Sequence, residues 1–185
     1  MGDVFDFLQN NTFSRADLTY EYGEVKNVHY GDILTKFNDC LNVDKTALPY
    51  LLSTELARKF SVSLLCDGDV IMADTAEDEA VGKCVEIVNL RENKVLAGLH
   101  TIPMRPRFFF GTGYLGHYMN SSAYHSQLLP LMQGIKVTSV SKNVVRNTNI
   151  LFPKNMEEQK KIGAFFERLD GLIALHQRKC KTHTI

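Results

Sequence analysis

The sequence contains no tryptophan, only 5 prolines in 185 residues, and only 4 cysteines. Cys40, Cys66, Cys84 and Cys180 stand far apart with no Cys-x-x-Cys pair. That excludes a dense disulfide scaffold and a zinc-ribbon ligand set, and leaves scattered reduced thiols as the expectation. No run of about 18 uninterrupted apolar residues occurs, so no membrane-spanning helix is expected. Residues 1–11 have neither a basic start nor an apolar core, so no signal peptide is expected. Asp6 stands where a myristoylation signal wants Ser or Thr. A cytoplasmic location is the resulting expectation. Charge of one sign is also missing: 21 basic residues balance 21 acidic ones. A neutral chain does not coat polyanions indiscriminately, although one basic face remains possible.

Motifs that would carry chemistry are absent as well. His29, His100, His117, His125, His176 and His183 show no His-Glu-x-x-His or His-x-His spacing. Asp67, Asp69, Asp74, Glu77, Asp78 and Glu79 lack the spacing of a calcium loop, and an acidic turn before a helix or strand is the plainer reading. There is no Gly-x-Ser-x-Gly, no Walker sequence and no Gly-x-Gly-x-x-Gly. Gly111-Thr112-Gly113 precedes a helix and could hold a phosphate, but a helix-capping turn is the stronger expectation. No catalytic residue, metal or cofactor is expected.

What is present is an ordinary globular composition, 44% hydrophobic and 23% charged. The charge is unevenly spread. Residues 1–60 carry 6 basic and 9 acidic side chains, and residues 61–90 carry 1 and 7. Residues 91–153 carry 7 and 1, and residues 154–185 carry 7 and 4. The basic excess in 91–153 is the one charge feature pointing to nucleic acid.

Short apolar stretches alternate with turn signals over the first hundred residues. Val25 to Tyr30 predicts a strand into a Gly31-Asp32 turn. Leu64 to Cys66, a turn at Asp67-Gly68-Asp69, and Val70 to Ala73 predict strand, turn, strand. Lys83 to Val88 and Val95 to Ile102 predict two more strands joined by a hairpin loop at Asn89 to Asn93. Leu115, Tyr118, Met119 and Ser122 share one helical face. A second short helix is expected over Ala123 to Gln133, kinked at Pro130 and stopped by Gly134. Ile135 to Ile150 is expected to be extended, given Val137, Val140, Val144 and Val145.

The clearest element is the last. Asn155 can cap a helix, and Glu158 three residues on completes a capping box. Ile162, Phe165, Leu169, Leu172 and His176 then follow a 3-4-3-4 spacing, widened by Phe166 and Ile173. Such a stripe must be covered. It either folds back on its own domain or projects to pair with another helix, and the pattern leaves both open.

These residues carry a resemblance. Pro153-Lys-Asn-Met-Glu-Glu-Gln-Lys-Lys-Ile162, then Leu169-Asp170, then Ile173-Ala-Leu-His-Gln-Arg-Lys179, resembles the conserved helix of type I restriction–modification specificity subunits. Tyr30-Gly31-Asp32-Ile33, Gly68-Asp69-Val70, Asp74 to Asp78 before Val81-Gly82-Lys83, Ala97-Gly98-Leu99-His100, and Gln133-Gly134 before Ser141-Lys142 are similar to upstream segments of that family.

The resemblance implies an α/β (α+β) fold: a mixed-sheet target recognition domain over 1–152, then a dimerisation and spacer helix over 153–185 that pairs in an antiparallel coiled coil. Subunits of that family hold two such domains, whose paired helices set the spacing between two DNA half-sites. They perform no chemistry. Modification subunits bind them and methylate adenine with S-adenosylmethionine; restriction subunits cut and translocate with ATP. The sequence holds one domain and one helix, so it is expected to act as half a subunit. Its helix is expected to stop near Lys181 to Ile185, earlier than is usual in the family. The expected partners are double-stranded DNA, modification subunits, restriction subunits through the complex, and a second copy related by a two-fold axis. Ile162, Phe165, Leu169, Leu172 and Ile173 would supply the seam.

Phosphate and base contacts call for Lys, Arg and small polar donors on loops. Three clusters qualify: Asn10, Asn11, Thr12, Ser14 and Arg15; Arg105 and Arg107 beside Phe108 to Phe110; and Lys136, Thr138, Ser139, Ser141, Lys142, Asn143 and Arg146. A different class of function, a helix-mediated scaffold that does not read DNA, fits the zero net charge.

Overall fold

A computed structural model describes residues 1–182, apart from the side chains at 54, 56 and 179–182. His183, and the chain end expected to terminate the helix, lie outside the described residues. The centre of the fold is a five-stranded sheet in the order β1 (Phe5–Phe7), β10 (Thr101–Pro106), β6 (Val70–Ala73), β8 (Cys84–Val88) and β4 (Cys40–Asn42). β4 runs parallel to β8, and the other pairings are antiparallel. A four-stranded sheet packs beside it, in the order β2 (Leu18–Thr19), β5 (Tyr50–Leu51), β3 (Val25–Val28) and β9 (Lys94–Ala97), with β3 and β9 parallel. Both sheets are mixed, as expected. A third ladder pairs β7 (Thr75–Ala76) with β11 (Thr138–Ser139).

β6 is apolar on both faces because both faces are covered, and β8 is so except at Glu86. Successive residues alternate between two cores. Val70 and Met72 of β6, Cys84 of β8, and Ile102 and Met104 of β10 join a core beneath the helices. Ile71, Ala73, Val85 and Ile87 join a second core against Val28, Val95 and Ala97 of the other sheet. Glu86 lies between Val85 and Ile87 and therefore projects to the helical side. It caps α3 (Tyr114–Asn120) by accepting from the Gly113 and Gly116 amides at 2.7 and 3.0 Å. A carboxylate there satisfies amides that the helix cannot bond itself. Burial raises its pKa, and those amide bonds act in the opposite sense.

Several expected elements take another form. Gly31-Asp32 is not a turn but the first turn of α1 (Tyr30–Thr35), and His29 Nδ1 accepts from the Gly31 amide. Leu64 to Cys66 forms no strand; it follows a short 3-10 turn at Ser61–Ser63. Val95 to Ile102 is two strands, broken at Gly98 to His100, where His100 adopts φ 55°. Asn89 to Asn93 does turn the chain, with Asn89 and Arg91 at positive φ. It joins strands of two different sheets, however, so no hairpin forms. The helix expected over 123–133 is α4 (Ser122–His125) plus a 3-10 turn at Leu129–Leu131 started by Pro130. Residues 135–150 are not extended throughout. Ser141 accepts from the Val144 amide and starts α5 (Lys142–Arg146). This cap overrides the strand preference of Val144 and Val145.

The long helix is α6 (Met156–Thr182). The Asn155 side chain accepts from the amides of Glu157 and Glu158, at 2.8 and 3.4 Å, as expected of its cap. Short α2 (Thr54–Arg58) lies beside the smaller sheet.

Candidate nucleic-acid interface

Four of the six basic residues singled out from sequence gather around edge strand β1. Asp6 lies opposite Arg105 in register. Arg107 donates to Asp6 at 2.9 Å, with both side chains exposed. Arg105 reaches past them to Asp69 with two bonds of 2.9 and 2.7 Å, and to the Leu64 carbonyl at 2.8 Å. The Asp69 side chain is 1% exposed. On the other side, the Arg146 guanidinium sits 5.1 Å over the Phe7 ring. Lys142 donates to the Leu8 carbonyl at 2.9 Å. Burial, and then the charge of Arg146, lowers the Lys142 pKa. Arg105 and Arg107 are thus neutralised by carboxylates. Lys142 and Arg146 form no ion pair among the described residues.

The early polar loop is internally engaged. Asn11 is fully buried and donates to Asn27 at 2.7 Å. Ser14 bonds Asp17. Arg15 makes a bidentate pair with Asp32, at 2.9 and 2.7 Å, and Lys36 adds a third bond at 2.9 Å. Burial alone would raise the Asp32 pKa, but these two cations outweigh it and hold it below the usual value. Lys136 lies elsewhere, at the tip of a small loop. Gln133 and Ser139 exchange two backbone bonds at its base. Gly134 has φ 120°, and a Cβ there would meet the Val137 carbonyl, so only glycine fits. Ile135 beside Lys136 is fully exposed.

α6 is divided along its length. Its root docks on α3 and the preceding Gly111–Gly113 turn. Gln159 is buried, accepts from the Gly111 amide at 2.9 Å and donates to the Pro153 carbonyl at 2.7 Å. Gly163 packs so closely that a Cβ would lie 2.4 Å from the Thr112 carbonyl. Ile162 joins the core beneath the helices, so it faces its own domain. The Phe166 ring lies 5.3 Å from His117. Beyond this root the apolar stripe is uncovered: Phe165, Leu172, Ile173 and Leu175 are all more than half exposed, and Leu169 is 37% exposed. The two readings left open by the pattern thus divide along the helix, the root folding back and the distal stripe projecting.

The model of the type I restriction modification DNA specificity domain family matches residues 1–182. The chain belongs to that family. No curated protein matches its sequence. Its fold is similar to that of a solved chain from a type I R-M system described for complex assembly and conformational transition, with TM-score 0.61 and 17% identity over 97% of this chain and 39% of that one. It is also similar to the HsdS subunit of Thermoanaerobacter tengcongensis, with TM-score 0.58 and 17% identity over 96% and 38%. The type I S subunit of M. genitalium gives TM-score 0.57 and 12% identity over 97% and 41%. This specificity domain therefore spans about two fifths of the length of those chains.

Two features of the specificity domain carried no sequence signal. The first is a cleft of about 520 Å³ between the Arg105–Phe110 segment and Cys66 to Asp69, with Phe109 almost wholly exposed at its rim. The triple phenylalanine was visible, but which rings face outward depends on packing: Phe110 turns inward to stack on Phe5 and Tyr114. The second is a polar cluster at the root of α6. His117 Nδ1 and Asn120 Nδ2 lie 2.8 and 2.7 Å from the two oxygens of Asp39, and Asn120 donates to the Cys84 carbonyl at 2.8 Å. Burial opposes charge on His117, yet the Asp39 bond and the charges of Asp39 and Asp170 raise its pKa. The acidic residues at 67–79 do not form such a cluster. Asp67 accepts from the Leu90 amide, Asp69 from Arg105 and the Cys66 amide, and Asp78 from the Ala80 amide.

Proposed function

We propose that this chain is the DNA-reading part of a type I restriction–modification specificity subunit. The single observation that carries this reading is the family match over residues 1–182. Residues 1–152 recognise one half-site of a bipartite duplex target. Residues 153–185 space that half-site from a second one and dock modification subunits. Restriction subunits join through the same complex. The chain performs no reaction; methyl transfer and cleavage belong to its partners.

Within the basic set, Lys136, Lys142 and Arg146 are the proposed phosphate contacts, because none of them forms an ion pair with a carboxylate among the described residues. Arg107 stays in the proposed set as an exposed side chain on the same edge. Arg15 and Arg105 contribute by fixing the local backbone and reach DNA only by leaving their aspartates. Phe165, Leu169, Leu172 and Ile173 form the proposed pairing seam. Ile162 supports it from within the domain. Two copies related by a two-fold axis would read an inverted repeat.

A gel-shift titration with a modification subunit tests this. Specific retardation of one duplex over unrelated sequence, with affinity falling steeply as salt rises, is the expected result. Zero net charge, and the pairing of Arg15 and Arg105 to aspartates, favour a second reading: a scaffold that joins helices without reading DNA. That reading gives equal retardation of every sequence, or none.

A further inference from the structure

The basic clusters around Arg15 and around Lys142 are far apart in sequence, and His100 joins them in the fold. His100 ends the break between β9 and β10 with φ 55°. On one side the Tyr30 ring meets the imidazole edge-on at 5.2 Å. Tyr30 in turn lies 4.7 Å from the His29 ring. The His29 pKa is lowered by burial first, then by Arg15, and less strongly by His100 and Lys36. On the other side Asp74 lies 3.4 Å from His100 Nδ1. The charge of Asp74 reaches Lys142, where it opposes the lowering by burial and by Arg146. His100 and Asp74 therefore lie between the two clusters.

A polar cavity of about 250 Å³ opens there, with Asp74, Thr75, His100, Gln133, Ser139 and Ser141 in its wall. Two groups in that wall have unused bonding capacity. The Thr75 hydroxyl donates to Asp74 at 2.7 Å and lies 3.5 Å from His100 Nδ1. With Nδ1 turned to these two residues, His100 Nε2 has no partner among the described residues. The His100 side chain is 46% exposed, so that free edge is open to a ligand. The Gln133 backbone is fixed by two bonds to Ser139, at 3.0 and 2.8 Å. Its side-chain amide is exposed and makes no hydrogen bond among the described residues.

The chemistry of the wall selects a base over a phosphate. A phosphate would meet the Asp74 carboxylate, which repels it. A base edge presents donors and acceptors together, and an amide beside an imidazole can answer both. A glutamine amide matches N6 and N7 of adenine with two bonds. Cations for the backbone are at hand in sequence: Lys136 three residues after Gln133, and Lys142 next to Ser141.

We propose that Gln133 and His100 read one base pair of the half-site through its major-groove edge, with adenine as the base that Gln133 bonds. Lys136 and Lys142 hold the flanking phosphates. The inference rests on the DNA-reading role proposed above and adds two residues outside the basic set.

The target is first taken from methylated adenines mapped in cells that carry the chain with a modification subunit. Binding of that complex to matching duplexes is then titrated. Gln133→Ala should weaken binding to the target roughly 5- to 150-fold and relax the preference at one position of the half-site, with unrelated duplex bound as by wild type. Replacing the adenine there by 7-deazaadenine, which lacks the N7 acceptor, should weaken wild type and leave Gln133→Ala unchanged. Gln133→Glu should turn the preference at that position toward cytosine, whose N4 amino group donates to a carboxylate. A merely structural role does not change which base is preferred. His100→Asn keeps a residue that accepts positive φ, and should relax the preference at the same base pair. If wild type favours no sequence, the DNA-reading role falls and this inference with it. If wild type discriminates and both variants discriminate equally well at every position, the inference alone is overturned. A loss equal for every sequence makes the two residues phosphate contacts and overturns it too.

Discussion

Arg105→Ala separates a structural role for the β1 edge from a DNA-contacting one. The substitution removes three hydrogen bonds, two to Asp69 and one to the Leu64 carbonyl. Asp69, 1% exposed in the intact pair, keeps among the described residues only the Cys66 amide as a hydrogen-bond donor. Removing one partner of a buried ion pair costs about 3–5 kcal/mol. The guanidinium is one-third exposed, so water relaxes part of that cost, and about 3 kcal/mol is the expected loss. With a urea slope of roughly 2–3 kcal/mol per molar for a chain of this length, the unfolding midpoint should fall by about 1 M. The double variant Arg105→Ala, Asp69→Asn should recover part of the loss, because it no longer strands a charge. Since Asp69 neutralises Arg105, the salt dependence of DNA binding by folded Arg105→Ala should match wild type. A stability unchanged within about 0.5 kcal/mol, together with a shallower salt slope, would refute this reasoning and make Arg105 a direct phosphate contact.

The projecting half of α6 should behave as a separable seam. Leu169→Asp with Leu172→Asp should give a chain of monomer mass by light scattering whose unfolding midpoint is that of wild type. Loss of the fold would show that the stripe is covered by its own domain. Gln159→Leu strands the Gly111 amide and the Pro153 carbonyl, at about 1–3 kcal/mol each. Stability should fall by about 2–4 kcal/mol, and hydrogen exchange at Gly111 should accelerate. Asp32 carries a lowered pKa in the fold, so its stabilisation is present above its ordinary value of about 3.9 and is lost as pH falls through the lower folded value. Arg15→Ala should therefore move the acid-unfolding midpoint to higher pH.

Legibility in the sequence followed how local the determining forces are. The α6 boundary was readable because Asn155 and the amides of Glu157 and Glu158 are neighbours in the chain. The apolar run of β6 was readable because both its faces are buried. Sheet membership was not. β8 and β9 are adjacent in sequence yet join different sheets, each beside a parallel strand from the first fifty residues. α5 was missed because one serine cap outweighs two β-branched residues, Val144 and Val145, and propensity does not register that competition. Charge position was readable, but charge availability was not: the carboxylates that neutralise Arg15 and Arg105 stand 17 and 36 residues away. The Asp39–His117–Asn120 cluster left no trace for the same reason.

The most direct test of DNA reading maps methylated adenines in cells that carry a modification subunit with this chain, without it, or with Lys136→Ala. Recognition through residues 1–152 predicts one defined bipartite motif with the chain, none without it, and weaker or relaxed methylation at that motif with Lys136→Ala. An identical methylation pattern with and without the chain would contradict it.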